Sequence, residues 1–220
     1  MRILLSSAEP EEARIGQDVG AAGVFADPTA LAKAGPEWRR KLTAVMNEIE
    51  GPVYIQATEQ TTERILAQFD QFQRLLDERM VATICISDSG MAAARTLQDA
   101  LIPTNITAVV TFNQAVVAAQ SGADYVSVCF GQADNECCGE ATGTAAVIEA
   151  AAAYIQRHGL DVRIIATDVR DPDQFRASAL SGAHFAAVPA GLIATILTDA
   201  RSEQIAAECA AAWKSIRAIK

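Results

Sequence analysis

Residues 113–129 read NQAVVAAQSGADYVSVC. A helical pattern over Asn113–Ala119 gives way to Gly122 and then to an apolar run, Tyr125–Cys129. A helix joined to a strand by one short turn is half of a βα unit, because parallel strands need a crossover connection and a helix is the usual one. Glycine just past a helix accepts the left-handed backbone that ends it. The same arrangement recurs at Gly20-Ala21-Ala22 and Gly182-Ala183-His184, each before a strand-like run. Working outward, strands are expected at Arg2–Leu5, Ala22–Ala26, Val53–Gln56, Met80–Ile86, Asn105–Val109, Tyr125–Cys129, Arg163–Ala166 and Phe185–Val188. Helices are expected at Glu9–Val19, Glu37–Ile49, Thr61–Leu76, Ser89–Ala100, Asn113–Ala119, Thr142–Arg157 and Asp173–Ser181, with a short one from Pro189 to Leu197.

Strands and helices alternating through 220 residues predict the α/β class and a single (β/α)8 TIM barrel over residues 1–220, since closure removes both sheet edges. A doubly wound open sheet is the alternative. It would carry a glycine-rich phosphate loop after its first strand, where this chain reads Ser6-Ser7-Ala8-Glu9. An additional C-terminal helix over Ser202–Ile219 places Ile205, Cys209, Trp213 and Ile216 on one stripe. That stripe packs either on its own barrel or on a neighbouring subunit.

Composition narrows the partners. A net charge of −9 and 5% aromatic residues lack the basic footprint that nucleic acid or anionic membranes require. No apolar run reaches the ~20 residues of a membrane span, and the N-terminus meets Glu9, Glu11 and Glu12 before any signal-peptide core develops. Five unevenly spaced cysteines fit reduced thiols. A cytoplasmic protein is expected.

Four stretches carry a family likeness: Ala22-Gly23-Val24-Phe25-Ala26-Asp27-Pro28-Thr29; Asn105-Ile106-Thr107-Ala108-Val109 with Phe112-Asn113-Gln114-Ala115; Ala118–Val126; and Gly182–Pro189. In order and spacing the chain resembles the short-chain transaldolase and fructose-6-phosphate aldolase family. The resemblance implies a barrel active site in which Ser6 stands for a first-strand aspartate and Asp27 for an asparagine. Gln56 and Thr107 match two water-holding residues, and Cys129 stands for the tyrosine that completes that trio. Gln132 takes the place of a phosphate-binding arginine, and Thr167-Asp168-Val169-Arg170 meets a Ser-Phe-Lys or Ser-Phe-Arg motif. On the fourth strand, Ile84-Cys85-Ile86-Ser87-Asp88-Ser89-Gly90 meets the family's Val-Lys-Ile-Pro pattern, so Cys85 stands where the Schiff-base lysine is expected. The four lysines, Lys33, Lys41, Lys214 and Lys220, fall in helical stretches or tails, away from the strand ends where barrel sites assemble. The resemblance also implies a homo-oligomer, with a decamer as the form it suggests.

A lysine amine makes an iminium that draws electrons from a breaking carbon–carbon bond. A thiol adds to an aldehyde but offers no such sink. The expected function is therefore a diverged aldolase-like barrel that binds a small carbonyl or sugar-like metabolite without a Schiff base and without a cofactor. Cys85, as nucleophile, with Asp27 and Asp168, as acid or base, are the catalytic candidates; Ser6, Gln56, Asn105, Thr107, Cys129, Gln132, Thr167 and Arg170 are the binding candidates. The alternatives are a catalytically silent homologue that serves as an oligomeric or regulatory partner, and a carbon–carbon lyase using a thiol or a metal. For Asp27 and Asp88 helix capping is the commoner role. No metal site is expected: Cys137-Cys138, near Asp134 and Glu136, lack the two-residue spacing of zinc knuckles, and His158 and His184 fall at the far ends of their elements. His184 is expected to be structural.

Overall fold

Eight short runs rich in Val, Ile and Ala form the strands β1 (Arg2–Leu5), β2 (Val24–Ala26), β3 (Val53–Gln56), β4 (Met80–Cys85), β5 (Thr104–Val109), β6 (Tyr125–Cys129), β7 (Arg163–Thr167) and β8 (Phe185–Val188). In the computed structural model, which describes residues 1–131 and 143–217, they pair in sequence order, all parallel, into a closed barrel. Closure is made by β1 on β8, with Arg2 opposite Phe185 and Leu5 opposite Val188. This is the expected (β/α)8 barrel.

The helices are α1 (Pro10–Asp18), α2 (Pro28–Ala34), α3 (Trp38–Glu48), α4 (Thr62–Leu76), α5 (Asp88–Asp99), α6 (Phe112–Gln120), α7 (Thr144–His158), α8 (Pro172–Leu180), α9 (Ala190–Leu197) and α10 (Ala200–Arg217). The three glycine turns read from the sequence hold: Gly20, Gly122 and Gly182 have φ of 67°, 85° and 92°. Most element ends fall within two residues of expectation, β4 stopping at Cys85, β5 starting at Thr104 and β7 running to Thr167, and two differences bear on the site. β2 starts at Val24 rather than Ala22, where the backbone of Gly23 passes so close to Pro52 that a Cβ would lie 2.4 Å from its carbonyl oxygen. And α2 was not anticipated: Asp27 caps it by accepting from the Ala30 N–H at 2.8 Å, with Pro28 in the first turn.

Strand side chains alternate between two cores. One lies between strands and helices and holds Leu5, Val24, Ile55, Ala82, Ile84, Ile106, Val126 and Ile164. The other fills the barrel with Leu4, Phe25, Tyr54, Val81, Ile165, Phe185 and Ala187, against which Tyr125 packs. In β5 the register to β6 shifts between Ile106 and Val109. Ala108 takes φ of 60° at this bulge. It is exposed, and the extra residue returns Val109 to the outer core.

Outside the barrel, every described side chain from Ala194 to Lys214 is exposed. They include Leu197 and Ile205. Among the described residues no helix is long and apolar enough to cross a membrane.

Candidate functional site

The inner-facing positions of each strand determine what reaches the carboxyl end of the barrel. Counting by two from the inner core, β1 leads from Leu4 to Ser6, β2 from Phe25 to Asp27, β3 from Tyr54 to Gln56, β4 from Val81 through Thr83 to Cys85, and β6 from Tyr125 through Ser127 to Cys129. β5 and β7 contribute Thr107 and Thr167. A cavity of about 940 Å3 opens there, walled by Ser6, Asp27, Gln56, Thr107, Cys129 and Thr167, with Asp168, Arg170, Glu12 and Lys33 also lining it.

Much of this polar wall pairs with itself. Ser6 Oγ donates to Asp27 Oδ2 at 3.2 Å. The Cys129 thiol and the Thr167 hydroxyl are 3.1 Å apart. Arg170 grips Asp168 with two bonds, of 2.8 and 2.9 Å, and Asp168 holds φ of 58° to present them, a conformation Asp tolerates better than most side chains. Among the inner strand positions of this wall, two groups keep hydrogen-bonding capacity toward the cavity. Thr107 is 5% exposed, yet its hydroxyl has no partner among the described residues. Gln56 donates from Nε2 to Cys85 Sγ at 3.3 Å, which leaves its carbonyl oxygen without a described partner.

Cys85 was expected to face the mouth and stands at its edge instead. Its side chain is exposed and lines a second, side cleft of about 660 Å3 between the β3–α4 and β4–α5 loops. Gln56 lines both spaces. Although one side of Cys85 is open, the packing around the rest of it pushes the thiol up, against a smaller downward pull from the Gln56 amide and with a still smaller upward push from Cys129. The resting group is therefore the thiol, not the nucleophilic thiolate.

The structure corrects three further placements. Asn105 does not reach the cavity: it is fully buried, donating to Thr83 Oγ1 at 3.2 Å and accepting from Ser127 Oγ at 2.9 Å. It lies two residues deeper than Thr107, about 6.6 Å along the strand. Asp88 does not cap α5, because Ser87 Oγ accepts from Gly90 N at 3.0 Å and does so itself. The lysines are not all remote, since Lys33 on the unforeseen α2 lines the cavity. Its ammonium lies 2.6 Å from Glu12 Oε1, and that carboxylate pushes the Lys33 pKa up, so the amine is charged. Burial works to raise Glu12, but the bonds from Lys33 and Ser7 outweigh it and hold the carboxyl below its usual range. The Asp27-Pro28 pair, a helix-start signature directly after a strand, was the signal that placed Lys33 near the mouth.

Gln132, together with Asp134, Glu136, Cys137 and Cys138, lies outside the described residues. His184 sits at the other end of the barrel, where Nδ1 accepts from Ile164 N at 3.0 Å, and burial lowers its pKa toward the neutral ring. Among the described residues no group of three or more His, Cys, Asp or Glu gathers around a point where a metal would sit.

Comparison with known proteins adds to this geometry. The mandelate oxidase mutant structure with a monooxide FMN adduct superposes with a TM-score of 0.59 at 11% identity. The match covers 87% of this chain and 65% of that one, so this chain spans less than two thirds of the oxidase's length; the likeness is one of fold alone. A probable transaldolase of Lachnoclostridium phytofermentans is 31% identical over 215 residues, covering 94% of this chain and 97% of that protein. A probable transaldolase of Brevibacillus brevis is 31% identical over 219 residues, covering 97% and 100%. The family profile Transaldolase/Fructose-6-phosphate aldolase matches residues 37–220. With a closed eight-stranded barrel and relatives aligned along nearly its whole length, the chain belongs to the transaldolase/fructose-6-phosphate aldolase family.

Proposed function

We propose that this barrel binds a small carbonyl or polyhydroxylated metabolite in its mouth without forming a Schiff base, with Cys85 at the position of the family's lysine. The observation that supports this most is the state of the amines and thiols at the mouth. Lys33 is the lysine that lines the cavity, and Glu12 holds it charged. A protonated amine does not attack a ketone. Burial pushes the Cys85 thiol up, and among the described residues no cation pairs with it. Asp27 already accepts from Ser6 and from the backbone of α2, and Asp168 from Arg170. Both are therefore engaged before any ligand arrives. Among the strand positions, Thr107 and Gln56 have hydrogen-bonding capacity to offer, which suits hydroxyl and carbonyl oxygens.

The reading is tested by reducing the protein with borohydride in the presence of dihydroxyacetone and measuring the intact mass, alongside calorimetric titration with unphosphorylated ketoses. Unchanged mass with saturable binding is expected. A stable adduct mapped to Lys33 would overturn it.

A second reading is favoured by α10, where Ile205 and Ile216 are 45% and 59% exposed. We propose that this arm packs on another copy and makes a homo-oligomer, ten copies being what the resemblance implies, as a protein with reduced thiols in the cytoplasm. Light scattering of the intact chain against one ending at residue 199 checks the arm: a smaller assembly is expected for the shorter chain, and equal masses remove α10 from the interface.

A further inference from the structure

The side cleft lies beside the mouth, with Cys85 on its wall, and its chemistry is distinctive. Its floor is apolar, with Ile65, Ile84 and Ala57, while its walls are Thr58, Gln60, Ser87 and Ser89, and two carboxylates, Glu59 and Asp88. Apolar floor and hydroxyl-bearing walls match the two characters of a polyol chain, C–H groups on one side and hydroxyls on the other.

The cleft is also built. Gln68 Oε1 accepts from the N–H of Thr58 at 2.9 Å and of Glu59 at 3.3 Å, and its Nε2 donates to Thr58 Oγ1 at 3.2 Å, which fixes the β3–α4 loop. Thr62 Oγ1 donates to Ser89 O at 3.1 Å and ties α4 to the opposite wall. The other wall depends on Gly90, where a Cβ would lie 2.2 Å from the Cys85 carbonyl oxygen; only glycine lets the start of α5 lie against the end of β4. Ligand sites of this kind are largely formed before binding.

The two spaces meet at one contact, Gln56 Nε2 to Cys85 Sγ, and Gln56 belongs to both walls. Across the mouth the Ser6–Asp27, Cys129–Thr167 and Asp168–Arg170 pairs are closed on themselves. Among the strand positions, the unengaged groups, Thr107 and the Gln56 carbonyl, lie on the side toward β3 and β5, with Cys85 opposite Thr107 in the β4–β5 register. A ligand anchored on them lies at the entrance to the cleft.

We infer that the side cleft is a second subsite, continuous with the mouth past Cys85, that takes the uncharged hydroxylated tail of an open-chain polyol or ketose. Asp88, with Glu59 partly offset by Arg64 at 3.8 Å, disfavours a phosphorylated or carboxylated tail, so the far end of the ligand is neutral. The inference rests on the reading of the mouth as a hydroxyl- and carbonyl-binding site, and no covalent step is involved.

The test is calorimetric titration of the intact chain with glycerol, D-sorbitol and sorbitol 6-phosphate, repeated on Gln60→Trp and Thr58→Trp, whose melting curves establish that each variant is folded. In the unaltered protein sorbitol is expected to bind on the order of tenfold more tightly than glycerol, a difference of about 1.4 kcal/mol, and the phosphate ester more weakly than sorbitol. In a folded Trp variant the sorbitol-to-glycerol ratio falls below about threefold, as the indole fills the cleft. A tenfold preference that survives in a folded variant overturns the second subsite and leaves the mouth reading standing. Tighter binding of the phosphate ester overturns the neutral tail. Absence of binding by any of the three overturns both the subsite and the mouth reading beneath it.

Discussion

The two ends of the barrel interior are made from the same strands by the same alternation, yet they have opposite characters. At the amino end Phe25 stacks on Tyr54 with centroids 5.9 Å apart, Tyr54 meets Tyr125 edge-on at 5.0 Å, and Tyr125 meets Phe185 at 6.1 Å. At the carboxyl end the inner positions are Ser6, Asp27, Gln56, Cys85, Thr107, Cys129 and Thr167, and the space between them is open. Between the two, Thr83, Asn105 and Ser127 form a buried hydrogen-bonded link. A barrel strand thus assigns stability and chemistry by depth: two residues separate the packed layer from the ligand wall in β1, β2 and β3, and four in β4 and β6.

The largest expected difference comes from truncating each end. Tyr54 is fully buried, so Tyr54→Ala should destabilise the protein by about 3–5 kcal/mol, whereas Cys85→Ala should change stability by under about 1 kcal/mol. Urea denaturation of both variants decides it, and equal losses would end the division by depth. Tyr54→Phe sharpens the point. The Tyr54 hydroxyl is buried without a hydrogen bond of good geometry, and burial, with Tyr125 beside it, pushes its pKa far up. Its removal should be neutral or mildly stabilising.

The middle layer should fall between. Asn105→Ala leaves the Thr83 and Ser127 hydroxyls without their shared partner, at an expected cost of about 1–3 kcal/mol. If the melting temperature is unchanged but ligand binding is lost, Asn105 belongs to the site after all.

The smallest effect is at the rim. Lys33 is 62% exposed and Glu12 28%, so Glu12→Gln should cost under about 1 kcal/mol at neutral pH. Glu12 is lowered in the folded state, so its contribution is complete above the unfolded value of about 4.3 and disappears as pH falls through the folded one. Lys33 is raised, so its share is complete below about 10.4 and is lost as pH climbs through its folded value. The gap between variant and parent should therefore be flat from about pH 5 to pH 10 and close outside that window. A gap that persists at pH 3 would mean that Glu12 acts by packing rather than by charge.

The strands were legible because central barrel strands are buried on both faces and read as compact apolar runs; β3, β6 and β8 fall where the sequence puts them. The mouth was legible as a set of positions, since counting by two from an inner residue fixes which side chains rise into it. Depth was not. Asn105 and Thr107 share a face, and nothing local distinguishes the layer each occupies. Partnerships were hidden too, because Gln56 and Cys85 are 29 residues apart and meet only through strand register. α2 escaped because a seven-residue segment is too short to display helical periodicity, and Lys33 was misplaced with it.

The ring of aromatic side chains beneath the mouth makes the barrel a cup and not a tube. Whatever enters cannot pass through the barrel, so arrival and departure both take place at the carboxyl end, by the mouth or by the side cleft. Two molecules competing for the floor exclude each other by simple obstruction, and a reagent that caps the mouth leaves the side cleft as the way out.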